Sequence, residues 1–197
     1  MNIDDELFRI ETNHIMPAQG RVLISEPFLS DRMFGRSVVL LVEHTDSSIM
    51  GLVLNKPLPF PLNAVLGGLN AEGPIPVYQG GPLCTDTLFF LHTLDGVNDS
   101  LPISEGIYLN GDFESIKDYI RHGNPIDGKI RFFLGYSGWD SDQLDREIKE
   151  NTWLVGKERV GELMDEASSR TLWYHALCNL GKKYAMWSRF PQFPIMN

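Results

Sequence analysis

The most constraining feature of this sequence is an apolar run that does not alternate with polar residues. Residues 37–42 read Ser-Val-Val-Leu-Leu-Val, so five apolar side chains follow one another directly. A strand with one solvated face alternates apolar and polar residues, whereas a continuous run indicates burial on both faces. A second apolar run follows at 49–54, beyond the turn-forming Asp46-Ser47-Ser48. The pair predicts a hairpin in the middle of a sheet that is covered on both sides.

Other segments carry ordered signals for helices and further strands. Asp112 and Asp140 each precede a helical apolar pattern and suit the N-cap position. Gln143 stands where a capping box places its second residue. Gly181 follows a third helical pattern, at 172–180, and predicts its end. Short apolar runs predict strands at residues 21–25, 75–78, 87–92, 107–109, 130–134 and 152–155.

These elements predict a mixed α/β fold with a large mixed β-sheet flanked by helices. Hairpin strands come early and strands alternate with helices later, which is typical of that class. A length of 197 residues suits a single domain over residues 1–197. The Gly- and Pro-rich stretch within 59–82 is the predicted place for a seam between a main part and a smaller subdomain.

The charge of the chain argues against direct binding to nucleic acid. The formal net charge is −9, and Lys182-Lys183 is the only pair of adjacent basic residues. Affinity for a phosphate backbone comes from clustered Lys and Arg, so no direct DNA or RNA contact is expected. The acidic start lacks the pattern of a secretory signal, and no run is apolar enough to span a membrane. We therefore expect a cytoplasmic protein without a membrane contact.

Two glycine-containing motifs are candidate sites of chemistry. Gly80-Gly81-Pro82 could expose backbone N–H groups as an anion-binding nest, but a tight turn before the next strand is the favoured interpretation. Ser137, within Gly135-Tyr136-Ser137-Gly138-Trp139, stands where a nucleophile elbow would lie between a strand and a helix. An elbow needs a second glycine where this chain has Trp139. The favoured interpretation is therefore a strand-to-helix connection in which the glycines relieve backbone strain and Trp139 packs beside the helix cap.

Two histidines are further candidates for catalysis. His44 and His92 each end an apolar strand, and with Glu43 and Cys84 they could bind a metal or act as a general base if the strand ends converge. The spacing matches no metal motif, and strand-end histidines commonly bond to neighbouring backbone, so no metal is predicted. An enzyme pocket near these histidines would also include Asn55 and the Gly80-Gly81 turn as ligand-binding residues.

The end of the chain is unusually aromatic, with Tyr184, Trp187, Phe190 and Phe193 within ten residues. Aromatic side chains bury large apolar areas and rarely stay in water. The favoured interpretation is a tail that folds back over its own core. The alternative is an arm that binds a second subunit in a homo-oligomer.

Taken together and in order, several segments resemble the AlgH/YqgE family of bacterial proteins. The matching stretches are 23–34, 37–44, 51–57, 79–82, Leu91-His92, 135–139 with Gln143-Leu144, and 172–181. The resemblance implies a cytoplasmic α/β fold with a large mixed sheet, sometimes with a smaller two-layer α+β part. It brings no settled activity, cofactor or catalytic residue, although some members carry a name tied to transcriptional regulation of alginate synthesis. The acidic N-terminus and the aromatic tail depart from the family pattern.

The leading hypothesis is thus a non-enzymatic binding or regulatory protein that acts through an unknown protein or small-molecule partner. Strong fold signals coexist here with failed tests for the common catalytic motifs, and no cofactor is predicted. The alternative is a small-molecule enzyme with a pocket near His44 and His92.

Overall fold

Nine strands form one mixed sheet in the computed structural model, which describes residues 10–69 and 71–191. The sheet is mixed because β4 runs parallel to its neighbour while the other pairings are antiparallel. This confirms the predicted fold class. The strands are β1 (Val22–Ser25), β2 (Val38–His44), β3 (Ile49–Val53), β4 (Val77–Gln79), β5 (Leu83–His92), β6 (Leu101–Ser104), β7 (Ile107–Leu109), β8 (Ile130–Trp139) and β9 (Trp153–Gly156).

The long strand β8 joins two halves of the sheet. The strand order is β6-β7-β5-β8-β3-β2-β1-β9, and β4 pairs with β8 in addition. The first half of β8 pairs with β4 and β5, and its end pairs with β3. Gly135 divides the two halves with a φ of 71°, opposite an irregularity of β5 between Leu83 and Leu88. The two parts of the sheet therefore share one strand.

Strand β2 is buried on both faces, as its unbroken apolar run predicts. Its even-numbered residues Val38, Leu40 and Val42 join one core cluster. Val39 and Leu41 join another cluster on the opposite face. The predicted hairpin is also confirmed, since β2 pairs antiparallel with β3. A central hairpin between two apolar layers is the basis of this half of the sheet.

Helices cover both faces of the sheet. They are α1 (Phe113–Arg121), α2 (Ser141–Lys149), α3 (Val160–Met164), α4 (Leu172–Asn179) and α5 (Lys182–Trp187), with a 3₁₀ turn at Leu62–Ala64. The first cluster packs α4 and α5 against β1 to β3, and the second packs α2 against the opposite face. A third cluster joins α1 to β4, β5 and the first half of β8.

Both predicted N-caps start helices, but they differ in chemistry. The side chain of Asp112 accepts hydrogen bonds from the amides of Glu114 and Ser115, as an N-cap should. Asp140 occupies the N-cap of α2 without a side-chain bond. The prediction of a capping box is wrong, because Gln143 instead donates to Glu147 one turn further along the helix.

A buried arginine links strand β8 to neighbouring segments of the chain. Arg131 is 1% exposed and donates to the carbonyls of Leu54 and Leu163, each at 2.6 Å, and to the Ser169 hydroxyl. Its guanidinium lies 4.2 Å from the ring centre of Tyr78. Burial lowers the pKa of Arg131 below its usual range, and this residue makes no ion pair within the described chain.

The described part of the aromatic tail packs on the same chain. Trp187 is fully buried in the core, and Phe28 stacks on Phe190 with ring centres 5.4 Å apart. Arg36 donates to the Phe190 carbonyl. Phe193 lies outside the described residues. A homo-oligomer formed through the tail stays a prediction, as do the single domain over residues 1–197 and the seam within 59–82.

No helix in the described ranges has the length and apolar character needed to cross a bilayer.

Candidate functional site

The two candidate histidines lie at opposite ends of the sheet. His44 pairs with Ile49, which in turn pairs with Trp139 at the end of β8. His92 pairs with Ile130 at the start of β8. At about 3.3 Å per residue, this register separates the two histidines by roughly 30 Å. They cannot share a proton, a metal or a pocket, so the structure does not form the predicted joint site.

His92 is fully buried and its ring serves the local fold. Its Nδ1 accepts from the amide of Leu94, and its Nε2 lies 2.9 Å from the Asn110 carbonyl and 3.0 Å from the Ser100 hydroxyl. Burial lowers the pKa of His92, although the two backbone contacts oppose the shift. The neutral ring with a proton on Nε2 satisfies these partners. This is the backbone-bonded strand-end histidine considered in the sequence.

Asn55 uses both ends of its amide within the fold. Its Oδ1 accepts from the amide of Val38 at 2.9 Å, and its Nδ2 donates to the Arg36 carbonyl at 2.8 Å. The side chain therefore extends the ladder of β3 alongside the start of β2. A ligand-binding role for Asn55 stays a prediction, and these two contacts show that the side chain also holds β2 and β3 together.

The two glycines of the proposed anion nest are buried against β8. The amide of Gly80 donates to the Leu134 carbonyl, and the Gly80 carbonyl accepts from Val53 and from the Ser137 hydroxyl. A Cβ on Gly81 would lie 2.0 Å from the carbonyl carbon of Tyr136. The glycines thus permit close backbone approach, and the Gly80 amide is already bonded; a ligand-binding role for Gly80 and Gly81 stays a prediction. Ser137 is fully buried and is no exposed nucleophile.

An open cleft lies where three of the family-like segments meet. A depression of about 390 Å³ is bounded by the loop 29–34, by Pro82-Leu83, by the end of β8 and by α2. A second depression of about 250 Å³ adjoins it and shares Leu83, Gly138, Trp139 and Gln143. We call these two depressions the tryptophan cleft. Segments far apart in the sequence therefore build one surface.

A single carboxylate organises the floor of the tryptophan cleft. Oε2 of Glu147 accepts from the indole N–H of Trp139 at 2.9 Å and from that of Trp153 at 2.7 Å. Its Oε1 accepts from the Gln143 amide at 2.8 Å. Phe34 packs against both indoles, edge-on to Trp153. Three donors from β8, β9 and α2 thus converge on one side chain and hold the aromatic floor in place.

The sequence patterns did not single out Glu147. The signal was the spacing of Gln143 and Glu147, which puts both on one side of α2. Nothing local in the sequence showed that Trp139 and Trp153 would reach the same carboxylate. In the ranges that the structure describes, no three His, Cys, Asp or Glu side chains lie close enough to hold a metal ion.

A second carboxylate with unusual properties lies away from the cleft. Glu158 is 7% exposed, and its Oε2 accepts from Asn179 at 2.6 Å, while its Oε1 has no hydrogen-bond partner among the residues described. Burial, aided by the neighbouring Glu162, raises the pKa of Glu158 to about 7. One proton is therefore held by this side chain at mildly acidic pH.

The raised pKa of Glu158 predicts a pH-dependent stability. The folded state keeps a proton that the unfolded chain loses near its ordinary pKa of 4.5, so the free energy of unfolding falls as pH rises from there to about 7. We expect Glu158→Gln to be more stable than the parent chain by about 1–2 kcal/mol at slightly alkaline pH, with little gain at pH ~5. Urea unfolding at both pH values measures this. Glu105→Gln, on an exposed turn, should change neither value.

Comparisons with known proteins agree with this architecture. A family model described as AlgH-like matches residues 22–185. The chain is 56% identical to a UPF0301 protein of Bacteroides fragilis over the whole of both chains. It is 42% identical to one of Parabacteroides distasonis over 97% of each.

Two solved structures have the same fold. The solution structure of the AlgH protein from Pseudomonas aeruginosa matches with a TM-score of 0.68 and 27% identity, over 93% of this chain and 100% of that one. A crystal structure of a Corynebacterium diphtheriae protein matches with a TM-score of 0.74 over 96% of this chain and all of the other, at 21% identity. The chain belongs to the AlgH-like, UPF0301 family.

Proposed function

We propose that this protein is a non-enzymatic binding protein and that the tryptophan cleft is its contact surface. The observation that carries this proposal is the convergence of three distant segments on one open cleft whose floor is fixed by Glu147. Binding sites need side chains that are held in place before the ligand arrives, and two indoles locked to one carboxylate meet that need. The cleft also holds exposed apolar surface, because Leu83 is 42% exposed at its centre.

The chemistry of the cleft favours binding over catalysis. Its carboxylate Glu147 already accepts three hydrogen bonds, which hold it as part of the cleft floor. Ser137 and His92 are buried outside the cleft and bonded to the backbone. We further propose that the protein works in the cytoplasm and regulates through a partner rather than through DNA, since its charge is −9.

The indole N–H signals of the four tryptophans provide a direct test. In ¹⁵N–¹H spectra of the labelled protein, fragments that occupy the cleft should shift the signals of Trp139 and Trp153. The signals of Trp173 and Trp187, which belong to the core under α4 and α5, should stay in place. A random DNA duplex at low salt should move none of the four.

A matched pair of variants makes this test specific to the cleft. Leu83→Arg places a long basic side chain in the cleft and should remove the shifts of Trp139 and Trp153. Leu101→Arg changes another exposed strand leucine, 58% exposed on β6, and should leave them intact. Fragments that bind only elsewhere, or equally to Leu83→Arg, would contradict the proposal.

A further inference from the structure

The charged groups that line the tryptophan cleft are of one sign. Among the described residues, the carboxylates of Asp31, Asp140 and Glu147 line it, and no Lys, Arg or His side chain does. Lys56 donates its ammonium to the Gly35 carbonyl, and its charge also acts on Asp31. A ligand with a negative charge would meet repulsion from the lining carboxylates, so the cleft disfavours phosphates and carboxylates.

Several hydrogen-bond donors of the cleft are already bonded within the protein, whereas some of its acceptors are not. Glu147 already accepts from the indole N–H groups of Trp139 and Trp153 and from one N–H of the Gln143 amide. The Gln143 amide is thereby oriented, and its carbonyl oxygen accepts no bond from the described chain. Oδ1 of Asp31 takes the amides of Met33 and Phe34, which leaves Oδ2 to accept further. The cleft therefore offers acceptors to an incoming donor.

Apolar side chains lie next to these acceptors. Phe34 and Trp139 form an aromatic floor, and Leu83 rises between the two depressions with its side chain over Gly138. A group with an aliphatic stem and a planar, positively charged end fits such a lining, because guanidinium stacks on aromatic faces and donates in a fork to carboxylates. Ammonium lacks the planar shape and the fork.

We propose that the tryptophan cleft binds an arginine side chain presented by a protein partner. This inference rests on the proposed function and names the chemistry of its ligand. A peptide is favoured over a small molecule because the cleft is open and divided by Leu83, whereas small-molecule pockets enclose most of their ligand. The apolar surface on both sides of Leu83 accepts the residues that flank the arginine, and the negative charge of the protein complements a basic partner segment.

A pair of blocked peptides tests the charge directly. The probes are acetyl-Ala-Leu-Arg-Leu-Ala-amide and the same peptide with citrulline, which keeps the shape of arginine but has no charge. We expect the arginine peptide to shift the indole signals of Trp139 and Trp153. The citrulline peptide should bind roughly tenfold more weakly, since hydrogen bonds to charged groups exceed neutral ones by about that factor.

A variant of the cleft carboxylate gives a second, independent measurement. Asp31→Asn keeps an oxygen for the amides of Met33 and Phe34 and removes the charge. It should weaken the arginine peptide roughly threefold, as expected for an exposed ion pair. Asp95→Asn removes a charge from an exposed loop outside the cleft and should leave the affinity unchanged.

Several outcomes would overturn this inference without touching the proposed function. Equal binding of both peptides, or tighter binding of a glutamate peptide of the same length, would show a cleft that is used by another chemistry. Butylguanidinium binding as tightly as the peptide would identify a small cation as the ligand and contradict the choice of a protein partner. If neither these probes nor any fragment reaches Trp139 and Trp153 at millimolar concentration, both proposals fail.

Discussion

Gly81→Ala should lower the free energy of unfolding by about 3 kcal/mol or more, at the upper end of the costs of overpacking. A Cβ at this position would lie 2.0 Å from the carbonyl carbon of Tyr136 and 2.3 Å from the Ser137 nitrogen. Both are backbone atoms of β8, so no side chain can rotate away to make room. The segment or β8 must move, and the hydrogen bonds of the neighbouring Gly80 to Leu134 and Val53 would be strained with it.

Urea unfolding followed by tryptophan fluorescence measures this loss. Gly161→Ala is the matched control, because a Cβ there meets no atom within 4 Å and the residue lies in α3. Alanine favours a helix over glycine by up to about 1 kcal/mol, so this variant should be equal to the parent chain or more stable. A Gly81→Ala protein within experimental error of the parent would show that the Gly81 backbone does not lie against β8.

Arg131→Met should destabilise the fold by about 2–4 kcal/mol, because an unpaired buried acceptor costs roughly 1–3 kcal/mol. Methionine fills similar space and stays apolar, but the carbonyls of Leu54 and Leu163 and the hydroxyl of Ser169 lose their donor. The loss of the guanidinium from the Tyr78 ring adds to this cost. The relief of burying a cation with no ionic partner offsets part of it.

Two further arginine variants separate these effects. Arg131→Lys keeps the charge but not the planar fork, so it should lose nearly as much stability as Arg131→Met. Arg121→Met removes an exposed arginine that pairs with Asp118 and Glu114 on α1, and should cost under about 1 kcal/mol. If Arg131→Met were as stable as the parent chain, the hydrogen bonds of the guanidinium would only offset the free-energy cost of burying its charge.

The parts of the fold that were predictable have their causes within a few residues. The run at 37–42 shows burial on both faces, since successive side chains of a strand point to opposite sides. Asp112 is readable as a cap because the amides it accepts lie two and three residues ahead. Such signals depend on local backbone geometry alone.

The parts that could not be predicted depend on register and on distant partners. Gly135 and Gly138 look like the end of a strand, yet β8 continues through both because Gly135 supplies a bulge and Gly138 makes room for Leu83. His44 and His92 both end strands, and only the pairing with β8 shows that these are opposite ends. The role of Glu147 likewise depends on Trp139 and Trp153, whose indole N–H groups meet its carboxylate only in the folded chain.

The position of β9 beside β1 has a consequence for how the protein is made. β1 cannot complete its pairing until residues 153–156 have left the ribosome, and β3 waits for the end of β8. During synthesis the three-stranded unit of β1, β2 and β3 is therefore finished early, but its two edge strands β1 and β3 stay open until β9 and the end of β8 emerge. Exposed strand edges of this kind invite wrong partners. Nascent chains that stall before β8 emerges should thus be clients of chaperones, whereas completed chains close both edges of this unit with their own strands.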